Sequence, residues 1–230
     1  PDANAPQLAE LNVTSTTAIQ LAFNEGMDIS SLTQANFSLQ SGIRVNQVLI
    51  KDPFGQQIEL LLENAFQRGT TQTLVINGVQ DCSGNPLNTQ TEFELGALPS
   101  VNDLLITEIM ATPTPEVGLP PLEYVELYNN TSTIIALNDV YLADNAGRAR
   151  IGDINIAPNA YLILTKNSAV ATLNSYGDVQ GINSFPTYTI QDEVRLEHAD
   201  SSFIFSVSYD RSFYKDAAKA NGGYSMEMIR

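Results

Sequence analysis

Three glutamates lie in the two most strand-like stretches of the chain and are the first candidates for chemistry. Glu108 lies in "ITEIM", and Glu123 and Glu126 lie in "LEYVELYNN". Side chains of a strand alternate between its two faces, so Glu123 and Glu126 point in opposite directions. If the two strands are neighbours, Glu108 and Glu126 can lie close together, as the two carboxyl groups of an acid/base pair do.

A structural role is the alternative for these carboxylates. Each can pair with an arginine, for which Arg148, Arg150 and Arg195 are available, or accept hydrogen bonds from backbone amides at a sheet edge. The two explanations differ in function, because only the first makes the protein a carboxylate-dependent hydrolase.

The single histidine and single cysteine offer little other chemistry. His198 alternates with Val194 and Leu196 at the end of a predicted strand, and no Gly-x-Ser-x-Gly nucleophile motif accompanies it. Cys82 lies in a turn without a histidine or lysine close by in sequence, so a reactive thiolate is not indicated. One cysteine and one histidine also fall short of a four-ligand zinc site. We therefore predict no catalytic residue, no cofactor and no zinc site.

Calcium is an open alternative, because the chain is acidic and has turns rich in Asp, Asn and Ser. These turns are residues 81–85, 144–147 and 198–202. None has the spacing of an EF-hand loop. Asp and Asn in turns ordinarily accept hydrogen bonds from backbone amides two residues ahead. A turn role is therefore expected.

The charge balance excludes some partners. The chain has 11 Lys and Arg against 26 Asp and Glu, a formal net charge of −15. Nucleic-acid affinity depends on Lys and Arg displacing counterions from phosphates, so neither nucleic acid nor an anionic membrane surface is expected as a partner. No apolar stretch approaches the roughly 20 residues of a membrane span, so we expect no membrane insertion. Because the chain opens with "PDANAP", we expect a fragment whose signal peptide is removed or lies outside it.

Two strand-rich regions are separated by a short Gly/Pro/Ser segment. Residues 7–96 alternate with the two-residue period of half-buried strands, and a turn at 52–55 predicts a hairpin. The segment "GALPSVND" (96–103) follows, and strands then recur to the end of the chain. One helix is predicted at 167–177, capped by Asn167.

The first region resembles the bacterial Ig-like domains of surface-layer and other secreted proteins. The residues that carry the resemblance are "AIQLAFNEGMDISSL" and, near the domain's end, "TQTLVINGVQDCSGNPL". The second phrase contains the Asp-x-x-Gly-Asn-x-Leu turn that links the last two strands of that family. We assign residues 1–98 to this domain.

The second region, residues 103–230, resembles the lamin tail domain. "LLITEIM", "LEYVELYNNTSTIIALNDVYLADNAG", "APNAYLILTK", "DEVRLEHADSSFIFSVSYD" and "NGGYSMEMI" follow one another in that family's order. The sequence departs from the family pattern in having no Trp, with Tyr124 and Tyr224 where an aromatic residue, often Trp, is usual. The two resemblances imply an all-β chain of two tandem immunoglobulin-like β-sandwiches.

The lamin tail domain is not known as a catalytic family, so the resemblance favours a structural role for the glutamates. It implies a non-catalytic, secreted or cell-surface bacterial module that takes part in adhesion or protein–protein interaction. The partner would be an extracellular protein or glycan. A carbohydrate-binding accessory module is the alternative, and a hydrolase is a weaker one. The candidate binding surfaces are the loop 111–121 and the segment 182–192, and the candidate residues are Glu108, Glu126, Phe185 and Tyr188.

Overall fold

The computed structural model describes residues 3–228, so the ends of the two predicted domains, at residues 1 and 230, and Ile229 of "NGGYSMEMI" lie outside the described residues. The chain divides into two compact units, Pro1–Gly96 and Ala97–Arg230. Each is built mainly of antiparallel strands, which confirms the prediction of an all-β fold.

The first unit is a sandwich of two sheets, one with strand order β1-β2-β5-β4 and the other with order β3-β6-β7. Alternate residues of the two sheets fill the space between them; Leu60 of β5 in one sheet and Leu74 of β6 in the other, for example, are both 0% exposed. The strands are β1 Leu8–Ser15, β2 Ala18–Phe23, β3 Phe37–Leu39, β4 Val45–Ile50, β5 Gln57–Leu62, β6 Gln72–Gln80 and β7 Pro86–Phe93.

The predicted hairpin is confirmed as β4 and β5. Asp52 organises its turn by accepting backbone N–H hydrogen bonds from Phe54 at 2.8 Å and from Gln56 at 3.3 Å. Gly55 has a φ of +66°, and a Cβ there would lie 3.0 Å from the Leu32 side chain. Both backbone conformation and space therefore favour glycine at this position.

The second unit is also a sandwich. One sheet has the order β15-β14-β9-β8-β18, the other has the order β12-β11-β16-β17, and β10 and β13 form a short separate ladder. The strands are β8 Leu104–Met110, β9 Tyr124–Asn129, β10 Ile135–Ala136, β11 Val140–Ala143, β12 Arg148–Arg150, β13 Asn155–Ile156, β14 Tyr161–Lys166, β15 Val179–Ile182, β16 Asp192–His198, β17 Phe203–Tyr209 and β18 Met226–Glu227.

The predicted helix is present but shorter than expected. A 3₁₀ turn at Asn167–Ala169 leads into the helix α1, Val170–Leu173. The N-cap positions are Lys166 for the 3₁₀ turn and Ala169 for α1, and neither has a side-chain capping hydrogen bond, so the expected N-cap at Asn167 is wrong. The Asn167 side chain instead donates to the Asn183 side chain at 2.6 Å. The helix is short because it only has to connect β14 to the parallel strand β15, which starts at residue 179.

Candidate functional site

Strands β8 and β9 are neighbours, and their register places Glu108 directly opposite Glu126. On the other side of β8, Glu227 of β18 lies opposite Glu108. Three glutamates therefore form a row across adjacent strands. The row lies on the outer face of the sheet, since Val125 and Leu127 of β9 point into the core.

The two central carboxylates of this row accept hydrogen bonds from hydroxyl groups of their own sheet. The Tyr124 hydroxyl donates to Glu108 Oε1 at 2.5 Å, and the Thr107 hydroxyl donates to Glu126 Oε1 at 2.7 Å. Both donors are buried, Tyr124 at 6% exposure and Thr107 at 9%. Burial, and then the bond to Glu108, raise the pKa of the Tyr124 phenol, so this group remains a donor at neutral pH. The contacts fix both carboxylates within the sheet.

Glu123 lies just before β9 and is half-buried. Burial raises the pKa of its carboxyl group, and nearby Lys166 and the backbone amide of Tyr188 lower it to a lesser extent. Glu123 is thus separated from the Glu108–Glu126 pair, as strand alternation predicts.

The arginines considered as partners of these glutamates bind other carboxylates. Arg148 and Arg195 both donate to Glu197, at 3.1 and 3.0 Å, in the sheet that contains β12 and β16. Arg150 pairs with Asp153. Local sequence carried no signal for the Arg148–Glu197 contact, since these residues are 49 positions apart.

A groove of about 730 Å³ adjoins the glutamate row. Its walls are mainly apolar and come from β8, β17 and β18, with Phe213 at one side. Glu108 and Glu227 are among its lining residues, and Phe213 is 55% exposed. Of the candidate residues Glu108, Glu126, Phe185 and Tyr188, Glu108 lines this groove.

Phe185 and Tyr188 do not form the exposed aromatic surface expected of residues 182–192. Tyr188 is 3% exposed within the main core, and Phe185 packs against it edge to face at 5.8 Å. The expectation of a surface role is wrong for Tyr188, because its ring buries more apolar area against the core than it could in a loop exposed to solvent.

A different aromatic pair is accessible. Tyr128 of β9 and Tyr161 of β14 lie opposite each other, with ring centroids 4.8 Å apart, and Tyr161 is 47% exposed. The Tyr128 hydroxyl donates to the Asn159 side chain at 3.2 Å. Tyr161 is followed by four buried residues of β14, so two-residue alternation in the sequence gave no signal for its exposure.

The loop 111–121 is held in place by the glycines of "NGG". The Gly223 amide donates to the Thr112 carbonyl oxygen at 2.8 Å. A Cβ on Gly222 would lie 2.1 Å from the Thr114 carbonyl oxygen, and one on Gly223 would lie 2.1 Å from the Pro115 carbonyl oxygen. Because neither glycine has a side chain, the backbone at 222–223 can lie close to the backbone of the loop.

Within the described residues 3–228, the contacts of His198 are not those of a catalytic triad. Its Nδ1 lies 3.1 Å from Asp139 Oδ2 and its Nε2 lies 2.8 Å from the Pro99 carbonyl oxygen. A general base would need Nε2 to accept a proton from a nucleophilic hydroxyl. Here a carbonyl oxygen occupies that position.

The acidic residues of the turns considered for calcium accept backbone amides. Asp81 accepts from the amides of Ser83 and Asn85, each at 2.8 Å. Asp144 accepts from the amides of residues 146 and 147, each at 2.7 Å, and Asp200 from that of residue 202 at 2.9 Å. Within residues 3–228, no group of three or more His, Cys, Asp or Glu side chains could hold a metal ion. These contacts favour the turn role.

Family comparisons agree with this architecture. Residues 2–95 match the model of the bacterial Ig-like domain, and residues 98–211 match the model of the lamin tail domain. The chain is a bacterial Ig-like domain followed by a lamin tail domain. Both predicted families and their order are confirmed, as is the fold of two tandem immunoglobulin-like sandwiches. Strand β18, which supplies Glu227, lies beyond the matched part of the lamin tail domain.

Several solved structures are similar to the chain. The N-terminal part of the bacterial S-layer protein SbsC is 15% identical, with a TM-score of 0.41 over 90% of this chain and 44% of that one. A DUF4876 family protein from Bacteroides thetaiotaomicron is 13% identical, with a TM-score of 0.31 over 78% of this chain and 66% of that one. An L,D-transpeptidase from Mycobacterium smegmatis is 12% identical, with a TM-score of 0.29 over 78% and 89%.

This chain therefore spans less than half the length of the S-layer chain. The comparison with curated proteins gave no match. In the part of the chain that the structure describes, no helix has both the length and the apolar character needed to cross a bilayer.

Proposed function

We propose that the chain is a non-catalytic extracellular module, which provides structure and contacts within a larger secreted or surface-attached bacterial protein. The two domain families support this role. The observation that carries the proposal is the bonding of the glutamate pair, in which buried hydroxyls of Tyr124 and Thr107 hold Glu108 and Glu126.

An acid/base pair works differently from this arrangement. Its two carboxyl groups face a substrate, and their environments push their pKa values apart. Glu108 and Glu126 instead lie on the surface of one sheet, and each uses a carboxylate oxygen for a neighbour on β8 or β9. One oxygen of each carboxylate, Oε1, is therefore engaged in a hydrogen bond within the sheet.

Glutamine substitution tests this assignment. The wild-type chain, Glu108→Gln, Glu126→Gln and the exposed loop control Glu116→Gln are assayed on chromogenic glycosides and esters, and their thermal unfolding is measured. We expect no turnover by any of them. Melting temperatures should change little, because lost charge assistance and relieved like-charge repulsion oppose each other and each amounts to about 1 kcal/mol or less.

A specific outcome would overturn the proposal. It is turnover by the wild-type chain that disappears in both Glu108→Gln and Glu126→Gln but persists in Glu116→Gln. Such a result would establish a carboxylate-dependent hydrolase instead.

A carbohydrate-binding accessory module is the second candidate, and the Tyr128–Tyr161 pair favours it. The exposed ring of Tyr161 offers an aromatic face on which the apolar face of a sugar can pack. Isothermal titration of the chain with soluble polysaccharides tests this function. Binding should be lost in Tyr161→Ala and kept in Phe203→Ala, a control residue with the same 47% exposure on the other sheet. Equal binding by both variants would exclude the tyrosine pair as the binding surface.

A further inference from the structure

His198 bridges two hydrogen-bond acceptors at the end of β16. Its Nδ1 lies 3.1 Å from a carboxylate oxygen of Asp139, and its Nε2 lies 2.8 Å from the carbonyl oxygen of Pro99. The histidine side chain is 14% exposed. Both ring nitrogens are thus directed at oxygen atoms from separate parts of the lamin tail domain.

The number of protons on the ring decides how many of these contacts are hydrogen bonds. A neutral imidazole has one N–H and one lone pair, whereas an imidazolium has two N–H groups. The Pro99 carbonyl can only accept, and an ionised Asp139 carboxylate can also only accept. Both contacts are therefore hydrogen bonds only when the ring carries two protons. A neutral ring leaves one nitrogen lone pair facing an oxygen lone pair.

The charged groups around the ring are of both signs. Asp139 lies in the segment before β11, and Asp200, in the turn after β16, has its pKa lowered by hydrogen bonds to Ser202 and, to a lesser extent, by the charge of His198. Arg148 of β12 donates to the His198 carbonyl oxygen at 3.4 Å, and its charge is paired with Glu197. Two carboxylates therefore lie near the ring, and the charge of the nearby arginine is compensated by Glu197.

The Pro99 contact holds the middle of the segment 97–103, which opens the lamin tail domain. At the start of this segment, the Ala97 amide donates to the Ile134 carbonyl oxygen at 2.8 Å. Near its end, the Asn102 amide donates to the Ile204 carbonyl oxygen at 3.0 Å. Proline has no amide of its own to donate, so the carbonyl of buried Pro99 is the backbone group through which His198 can hold this position.

We propose that His198 is a proton-dependent latch for residues 97–103. With two protons, the ring donates to both Asp139 and Pro99 and ties the segment to the end of β16. With one proton, it releases one of the two acceptors, and the segment opens more often. The opening segment of the lamin tail domain would then respond to the protonation of this one ring.

Two measurements on the unmodified chain test the latch. Because the sequence has a single histidine, nitrogen-15 NMR reports the ring without overlap. At about pH 5 we expect two ring N–H signals, and at about pH 8 we expect one. Hydrogen exchange of the Ser100, Asn102 and Asp103 amides, corrected for intrinsic rates, should be about tenfold less protected at the higher pH, as the loss of a charge-assisted hydrogen bond implies.

Substitutions distinguish the latch from a general effect of pH. In His198→Gln, the protection of these amides should be low and equal at both pH values. Asp200→Asn is the matched control, since it changes a nearby charge without removing a partner of the ring, and it should keep the pH dependence.

The proposal is overturned if wild-type protection of residues 100–103 is equal at both pH values. It is also overturned if the ring shows a single N–H at the lower pH while the segment stays protected. The wild-type comparison remains decisive even if His198→Gln fails to fold.

Discussion

Replacement of Tyr188 by phenylalanine is expected to stabilise the lamin tail domain, although Tyr188 is a core residue. Its ring is 3% exposed. Its hydroxyl is buried and has no hydrogen-bond partner among residues 3–228. A buried polar group without a partner loses its hydration and gains nothing in return. Burial, and then negative groups led by Asp144, raise the pKa of this phenol, so the group remains a neutral hydroxyl at neutral pH.

Tyr209 is the matched comparison for Tyr188, and the expected difference in unfolding free energy is worked out from the two residues together. It is also 3% exposed, but its hydroxyl donates to the Thr189 carbonyl oxygen at 3.0 Å. Removing an unpartnered buried hydroxyl should add about 1–2 kcal/mol to the free energy of unfolding, and removing a paired one should subtract about 1 kcal/mol. Tyr188→Phe and Tyr209→Phe should therefore differ by about 2–3 kcal/mol. Both changes delete the same atom, so differences in ring volume largely cancel.

Chemical denaturation followed by circular dichroism measures this difference, and thermal unfolding provides a second reading. For a domain of this size, 1 kcal/mol corresponds to a shift of roughly 3–5 °C in Tm. If Tyr188→Phe destabilises the domain as much as Tyr209→Phe does, the Tyr188 hydroxyl has a hydrogen-bond partner in solution. That result would refute the prediction, which depends on the Tyr188 hydroxyl having no hydrogen-bond partner.

Other changes test the contacts around the candidate site. Gly223→Ala should destabilise the domain by more than about 2 kcal/mol in thermal unfolding, because φ is +82° and a Cβ would lie 2.1 Å from the Pro115 carbonyl oxygen. Burial raises the pKa of Glu197, but hydrogen bonds from two arginines outweigh it and hold the pKa below the ordinary 4.5. The stabilisation by Glu197 is therefore complete above about pH 4.5 and is lost as pH falls through the lower folded-state pKa. Glu197→Gln should cost about 1–2 kcal/mol at neutral pH, and its difference from wild type should vanish in acid-denaturation curves. Phe185→Ala should lower the unfolding free energy by about 2 kcal/mol, since the ring packs on Tyr188, and unchanged stability would indicate a ring free for binding.

Local patterns in the sequence predicted those features that depend on neighbouring residues. The turn at 52–55 predicted the β4–β5 hairpin, because Asp52 and Gly55 satisfy the geometry of that turn by themselves. The two-residue period also separated Glu123 from Glu126, since alternation between the faces of a strand is a property of the strand alone.

Features that depend on distant residues could not be read in the same way. Tyr188 lies in a turn-rich segment and Tyr161 opens an apolar strand, yet the ring of Tyr188 enters the core and that of Tyr161 remains 47% exposed. That difference depends on which elements cover each position. The partners of Arg148 and the bridge from His198 to Pro99 join residues that are 49 and 99 positions apart. Strand order and register bring these groups together, and residue type alone does not specify either.

The glutamate row shows how register changes the meaning of a pair of carboxylates. Residue type and spacing suggested chemistry for Glu108 and Glu126, and register does place them side by side. The same register also places a buried hydroxyl donor beside each one, Tyr124 for Glu108 and Thr107 for Glu126. A bonded carboxylate is held in one orientation by its own sheet, whereas a catalytic one must exchange protons with a bound substrate. The neighbours supplied by the fold, more than the distance between the two carboxylates, therefore favour a structural role for this pair.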